Sequence, residues 1–148
     1  MNILGFDYPD ELYYWLEGDL WCRKLDNGLV QVGVTPFGVH ISGDFYMCRP
    51  KPVGTTLAQG QTLAVVELSK SVLAIKTPVS GIVREVNPLL EDTPEVIHQD
   101  PHGRGWLVHI EPTQWETDLA QLHHGAALRD AATKRMRLEN LDFSAGKP

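Results

Sequence analysis

Lys70 lies between two small hydroxyl residues, Ser69 and Ser71, three positions after Glu67 and eleven before Gly81. The runs on either side, Leu63-Ala64-Val65-Val66-Glu67 and Val72-Leu73-Ala74-Ile75, are apolar and strand-like, so the polar tip is expected to cap a β-hairpin. A lysine at a hairpin tip is most often just a solvated charge. Two stiff strands beneath it and small neighbours beside it change the reading. They fix the root of the side chain and leave the amine open to an attaching enzyme, which is what a long covalent swinging arm requires. Thr77-Pro78-Val79-Ser80-Gly81 supplies a proline–glycine turn at a set distance beyond.

The other reactive side chains suggest less. Cys22 and Cys48 are too few and too far apart for a disulfide scaffold or a CxxC pair, and both fall in apolar strand-like segments that suit a buried thiol. A thiol-exchange role would need exposure and a lowered pKa. Arg23 and Arg49 follow the two cysteines directly, but neighbouring strand residues point to opposite faces. His98, Asp100 and His102 have a spacing that could reach one metal, yet Asp100-Pro101 and the nearby glycines mark a turn whose aspartate bonds to backbone amides. No metal site is expected. His123-His124 suit a helix C-terminus, and Gly103-Arg104-Gly105 lacks the strand-before-helix setting of a dinucleotide loop. Lys76 lies outside the tip and reads as a surface lysine.

Residues 20–112 supply the elements that position the lysine. Asp26-Asn27-Gly28 marks a turn before the alternating strand Leu29–Val34, and Gly43-Asp44 opens Phe45-Tyr46-Met47-Cys48. Gly81–Val86 and Gly105–Ile110 read as the last two strands, joined by Asn87–Pro94 with a short helical turn. Such short strands predict a mainly β fold, a two-sheet sandwich or flattened barrel. Thr113 with Glu116 resembles a capping box, starting a helix with Trp115, Leu119 and Leu122 on one face and a stop at Gly125. Ala126–Leu141 reads as a second helix and Phe143–Pro148 as a frayed tail. The expected division is an extension over 1–19, a β domain over 20–112 and a helical segment over 113–148.

A chain of 148 residues fits one domain with a sizeable core, and 43% hydrophobic with 22% charged residues fits a soluble protein. The net charge of −6 argues against nucleic acid or an anionic membrane as partner. With neither a signal-peptide pattern nor a spanning apolar run, a cytoplasmic location is expected.

The segment Val66-Glu67-Leu68-Ser69-Lys70-Ser71-Val72, with Pro78-Val79-Ser80-Gly81 after it, resembles the lipoyl-lysine hairpin of glycine-cleavage H proteins. Asp100-Pro101-His102-Gly103-Arg104-Gly105-Trp106 looks like the family's signature before its last strand, and Trp21-Cys22-Arg23, Val32-Gly33-Val34-Thr35 and Gly43-Asp44 fall into place upstream. The likeness covers roughly residues 20–125. It implies a barrel-sandwich hybrid fold, with lipoate joined by an amide to Lys70. It also makes Glu67 and Gly81 recognition points for the lipoate-attaching enzyme, and the chain a carrier with no catalytic residues. Biotin carriers use a related hairpin but usually flank the lysine with methionine, where Ser69 and Ser71 stand here.

The resemblance offers two pathways. H proteins serve glycine decarboxylase, aminomethyltransferase and dihydrolipoamide dehydrogenase, carrying an aminomethyl group. Pro36-Phe37-Gly38, where a more helical stretch is usual, Cys22, Ser71 and Cys48-Arg49-Pro50-Lys51-Pro52 depart from that group. Together with Gly43–Lys51 they look like lipoate-binding proteins that work with a heterodisulfide-reductase-like sulfur-oxidising complex. The sequence favours this second branch, with glycine cleavage as the alternative. A monomer would suit a shuttle. A cysteine-based exchange enzyme and an unmodified interaction module are the competing classes.

Overall fold

The computed structural model describes residues 1–145, with side chains through Glu139. Its strands are β1 (Asn2–Ile3), β2 (Phe6–Asp7), β3 (Tyr13–Trp15), β4 (Leu20–Lys24), β5 (Val30–Val34), β6 (Met47–Pro50), β7 (Thr56–Leu57), β8 (Thr62–Glu67), β9 (Val72–Lys76), β10 (Gly81–Val86) and β11 (Val108–Pro112). The helices are α1 (Pro36–Ser42), α2 (Val96–Gln99), α3 (Trp115–Asp118) and α4 (Leu128–Ala145). A six-stranded sheet in the order β3-β4-β5-β11-β10-β7 faces a three-stranded sheet, β6-β8-β9, and β1 and β2 form a separate ribbon. This is the sandwich the alternating strands predict.

Two apolar cores share the large sheet. Leu20, Cys22, Val32, Val66, Ile75, Val83 and Ile110 fill the space between the sheets. On the outer side, Ile3, Tyr8, Tyr14, Trp21, Phe37, Leu128 and Met136 form a second core, roofed by the N-terminal ribbon and α4. Alternate residues of β4 therefore serve different cores. Cys22 points inward and Trp21 outward, and both are fully buried. A side chain at Gly33 would run into the Trp21 indole, so the glycine makes room for the largest anchor of the outer core. Trp21 Nε1 donates to the Pro101 carbonyl (3.0 Å), tying the 100–105 loop to β4.

The turn ending in Gly28 is as expected, with Gly28 at φ 88° and Leu25 N–H donating to Leu29 O (2.9 Å). Elsewhere the structure corrects the sequence. Pro36-Phe37-Gly38 opens a true helix, because Thr35 Oγ1 caps Gly38 N–H (3.1 Å) and proline takes the first turn. The strand expected from Phe45 begins at Met47, and the one expected from Gly105 begins at Val108. The Thr113/Glu116 capping box does not form. Gln114 occupies the cap with no side-chain bond, and α3 lasts four residues before a 3-10 turn at Leu119–Gln121. The reason is tertiary: Thr113 N–H donates to Ser80 O (3.1 Å) and Asp118 is drawn inward, so the segment docks instead of extending.

Gly125 does not stop that helix. It sits at φ 78° at the start of a 3-10 turn, Gly125–Ala127, that leads directly into α4 at Leu128, so the helix expected from Ala126 is entered through a tighter turn. His123 and His124 follow the 3-10 turn that ends at Gln121, but they are held by β3 and its flank: His123 bridges Tyr14, and His124 stacks on Tyr13 (centroids 4.1 Å) with Nδ1 2.8 Å from Leu12 O. The frayed tail gives way to helix through Ala145, and its last three residues lie outside those described. Among the described residues, no helix is long and apolar enough to cross a membrane.

Candidate functional site

β8 and β9 pair antiparallel from Thr62↔Lys76 to Glu67↔Val72, and Leu68 N–H donates to Ser71 O (2.8 Å), closing a tight turn over Ser69 and Lys70. Cys48↔Val66 and Met47↔Glu67 hold β6 against the other side of β8. The hairpin is thus braced by a third strand, with Leu63, Val66 and Ile75 rooted in the inter-sheet core. Lys70 is exposed, as are Ser69, Ser71 and Glu67. Glu67 ends β8 on the same tip, and its carbonyl accepts from Tyr46 N–H (2.8 Å). The structure therefore brings Glu67 and Lys70 together.

Gly81 is elsewhere. Lys70 and the Thr77–Gly81 turn lie at opposite ends of β9, whose five residues rise about 17 Å. Gly81 is buried, opposite Pro112 of β11 and Leu57 of β7. A Cβ there would drive into the Glu111 carbonyl oxygen and Ile110 Cγ2. Its lack of a side chain is a packing requirement between strands.

That turn is held by a residue the sequence reading passed over. Asp118, only 4% exposed, accepts Ser80 N–H at Oδ2 (2.6 Å). Gln59 completes the clamp: its N–H donates to Ser80 Oγ (2.9 Å), and its Nε2 reaches the carbonyls of Pro78 (2.9 Å) and Asp118 (3.1 Å). An aspartate within an apparently amphipathic helix gives no signal of this; only the docking of α3 makes it one.

Beside the hairpin runs a cleft of about 490 Å³. Leu68 and Leu73–Lys76 form one wall, Arg135 and Glu139 of α4 another, and Asp19, Leu20, Val34 and Phe45 the floor. Arg135 donates to Asp19 Oδ2 (2.8 Å), Leu16 O (3.1 Å) and Glu139 (3.1 Å), fastening α4 to the β body. Burial pushes the Asp19 carboxyl up to about 6, against the pull of Arg135. Lys76 stays at the surface, with Nζ 3.3 Å from Thr62 Oγ1.

Neither cysteine is poised for exchange. Cys22 is sealed in the core and Cys48 nearly so, and burial raises both thiols, Cys48 to about 12. Arg23 leans over Trp21 (5.0 Å) and donates to Gln31 Oε1 (2.7 Å) and His102 O (3.0 Å), on the face away from Cys22. The histidine pair does not converge either. His98 Nε2 lies 2.9 Å from Phe45 N, whereas His102 packs near Trp21. Asp100 accepts Arg104 N–H (2.9 Å), the backbone role expected of it. Among the described residues no group of three metal-ligating side chains occurs.

Residues 12–135 match the family described as Glycine cleavage H-protein. The chain is 36% identical over 131 residues to glycine cleavage system H protein 3 of Aquifex aeolicus, covering 86% of this chain and 81% of that one. It is 39% identical over 105 residues to the H protein of Salinibacter ruber, covering 71% and 83%. The crystal structure of the Mycobacterium marinum H protein superposes with a TM-score of 0.65 at 33% identity, covering 72% of this chain and 87% of that one. With its sandwich, braced lysine hairpin and these likenesses, the chain belongs to the glycine cleavage H-protein family, non-catalytic carriers that hold lipoate covalently on a lysine.

Proposed function

We infer that Lys70 is the lysine that bears lipoate, and that the protein serves glycine cleavage, passing cargo among glycine decarboxylase, aminomethyltransferase and dihydrolipoamide dehydrogenase. The observation that carries the first half is the exposed Lys70 on a three-strand-braced tip. The residues fit the group. The amine is open to acylation, the serines beside it are small, and the turn is closed by a backbone hydrogen bond that needs no particular side chain. Attached lipoate supplies a disulfide that can open to a dithiol and take up or release a fragment by exchange. The polypeptide's part is to hold the arm's root still, present Glu67 to the attaching enzyme and raise the arm's local concentration at each partner.

Support for the second half comes from the relatives, whose names are those of glycine cleavage H proteins. The sulfur-oxidation branch favoured by Phe37-Gly38 and Gly43–Lys51 finds no support there, so the alternative reading becomes the main one. One of its motives also weakens, since Pro36–Ser42 is helical after all. A cytoplasmic monomer goes with this proposal.

Co-expression with a lipoate ligase followed by intact-mass and peptide analysis should give one lipoyl increment on Lys70, and none in Lys70→Arg. Modification at another lysine would overturn the site. The lipoylated protein should then support glycine decarboxylation in a reconstituted system. Failure there, with activity in a heterodisulfide-reductase-like sulfur assay, would return it to the other branch.

A further inference from the structure

His98 is fixed by an unusual bond. Its Nε2 lies 2.9 Å from the backbone nitrogen of Phe45, which is a donor, so Nε2 must accept and the neutral ring carries its proton on Nδ1. The Phe45 ring meets the imidazole edge-on, with centroids 5.1 Å apart. Phe45 is 4% exposed and lines two spaces at once: the cleft beside the lysine hairpin, and a surface hollow formed with Asp44, Glu95 and His98. The next residue, Tyr46, donates its N–H to the carbonyl of Glu67. The imidazole nitrogen is thus one of two bonds, with Tyr46 N–H to Glu67 O, that hold the loop whose Phe45 lines the cleft and whose Tyr46 abuts the base of the Lys70 tip.

We propose that His98 is a proton-sensitive latch: protonation of its Nε2 breaks the bond to Phe45 N–H and loosens the Phe45 loop that lines the cleft beside the lysine hairpin. Protonated imidazole has no acceptor, so two N–H groups would confront each other where one bond existed. Asp44 lines the same hollow as His98 from the loop and Glu95 from the residue ahead of α2, both acidic and both exposed. The neighbouring α1 contributes His40, whose ring is 5.4 Å from Phe6 in a different hollow. Imidazole is the side-chain type whose charge changes between about pH 5 and about pH 8, which sets the window over which the latch is tested. The inference does not depend on what Lys70 carries.

The test is amide hydrogen exchange at Phe45 and Tyr46, corrected for intrinsic exchange chemistry, together with nitrogen NMR of the His98 ring. Between about pH 8 and about pH 5, protection of the Phe45 amide should fall about tenfold, as expected for a buried donor that loses its partner. The fall should share its midpoint with the His98 ring titration. His98→Gln places a neutral carbonyl acceptor near the Nε2 position, so its Phe45 amide should stay equally protected at both pH values. An unchanged Phe45 amide in the wild-type protein at low pH overturns the latch. So does a pH step of the same size in His98→Gln, which would assign the transition to another group.

Discussion

β9 joins two ends of the molecule that have little in common. At one end, Ser69, Lys70 and Ser71 are exposed, and the turn is closed by backbone atoms alone. At the other, Thr77 through Gly81 are all buried, Thr77 Oγ1 bonds Val79 O (2.7 Å), and Asp118 and Gln59 clamp the turn from outside. The first end can change its side chains without disturbing any packing, which is what a site of covalent attachment needs. The second can change almost nothing. Glu67 and Gly81 look alike in the sequence, as two markers at set distances from a lysine. In space they belong to opposite regimes: Glu67 stands exposed at the tip, and Gly81 is enclosed by its own chain.

Gly81→Ala is the strongest way to break that contrast. The added methyl meets a backbone oxygen of β11, which cannot rotate away, so β10 and β11 must part at Gly81↔Pro112. We expect a loss of about 3 kcal/mol, at the upper end for overpacking, read as a lower urea midpoint. If Gly81 influences lipoylation through packing, the fraction of Gly81→Ala that stays folded in the cold will be modified at the wild-type rate. A folded but unmodified Gly81→Ala would mean that the attaching enzyme reads the turn itself.

Asp118→Ala probes the same end less severely. It leaves the buried Ser80 N–H without its acceptor, at a cost of about 2 kcal/mol, and frees α3 from the turn. Asp118→Asn keeps an oxygen at that place and should recover most of the loss. Equal destabilisation by both variants would show that the charge, not the hydrogen bond, holds the turn.

Local pattern made the lysine hairpin legible. Apolar runs on both sides of a short polar tip leave few other conformations, and the tip residue is the chemical one. The Asp26–Gly28 turn was legible for the same reason. What escaped depends on long-range contacts. Pro78-Val79-Ser80-Gly81 reads only as a turn, because nothing nearby in the chain reveals that α3 will cover it. Thr113 and Glu116 have the spacing of a capping box, but the competing bonds to Ser80 come from a turn more than thirty residues away. The outer core was hidden too. Trp21 and Cys22 are adjacent and both buried, and an alternating pattern cannot show that each face of β4 has a core of its own. Residues 1–19, set apart by the sequence, supply β3 of the large sheet and much of that outer core.

Glu67→Gln should have the smallest effect on stability and isolates the other end of β9. The side chain is exposed, and the carbonyl that receives Tyr46 N–H belongs to the backbone, so the substitution leaves the hairpin's bonds in place. A change within about 0.5 kcal/mol is expected, as for surface positions without special contacts. Lipoylation is the sensitive readout, because the substitution removes the charge three residues before Lys70 while amine, turn and strands remain. A slower initial rate with an unchanged urea midpoint would place Glu67 in recognition. An unchanged rate would leave Lys70 and the bare shape of the hairpin as all that the enzyme reads, and Glu67 would join Ser69 and Ser71 as a solvated neighbour.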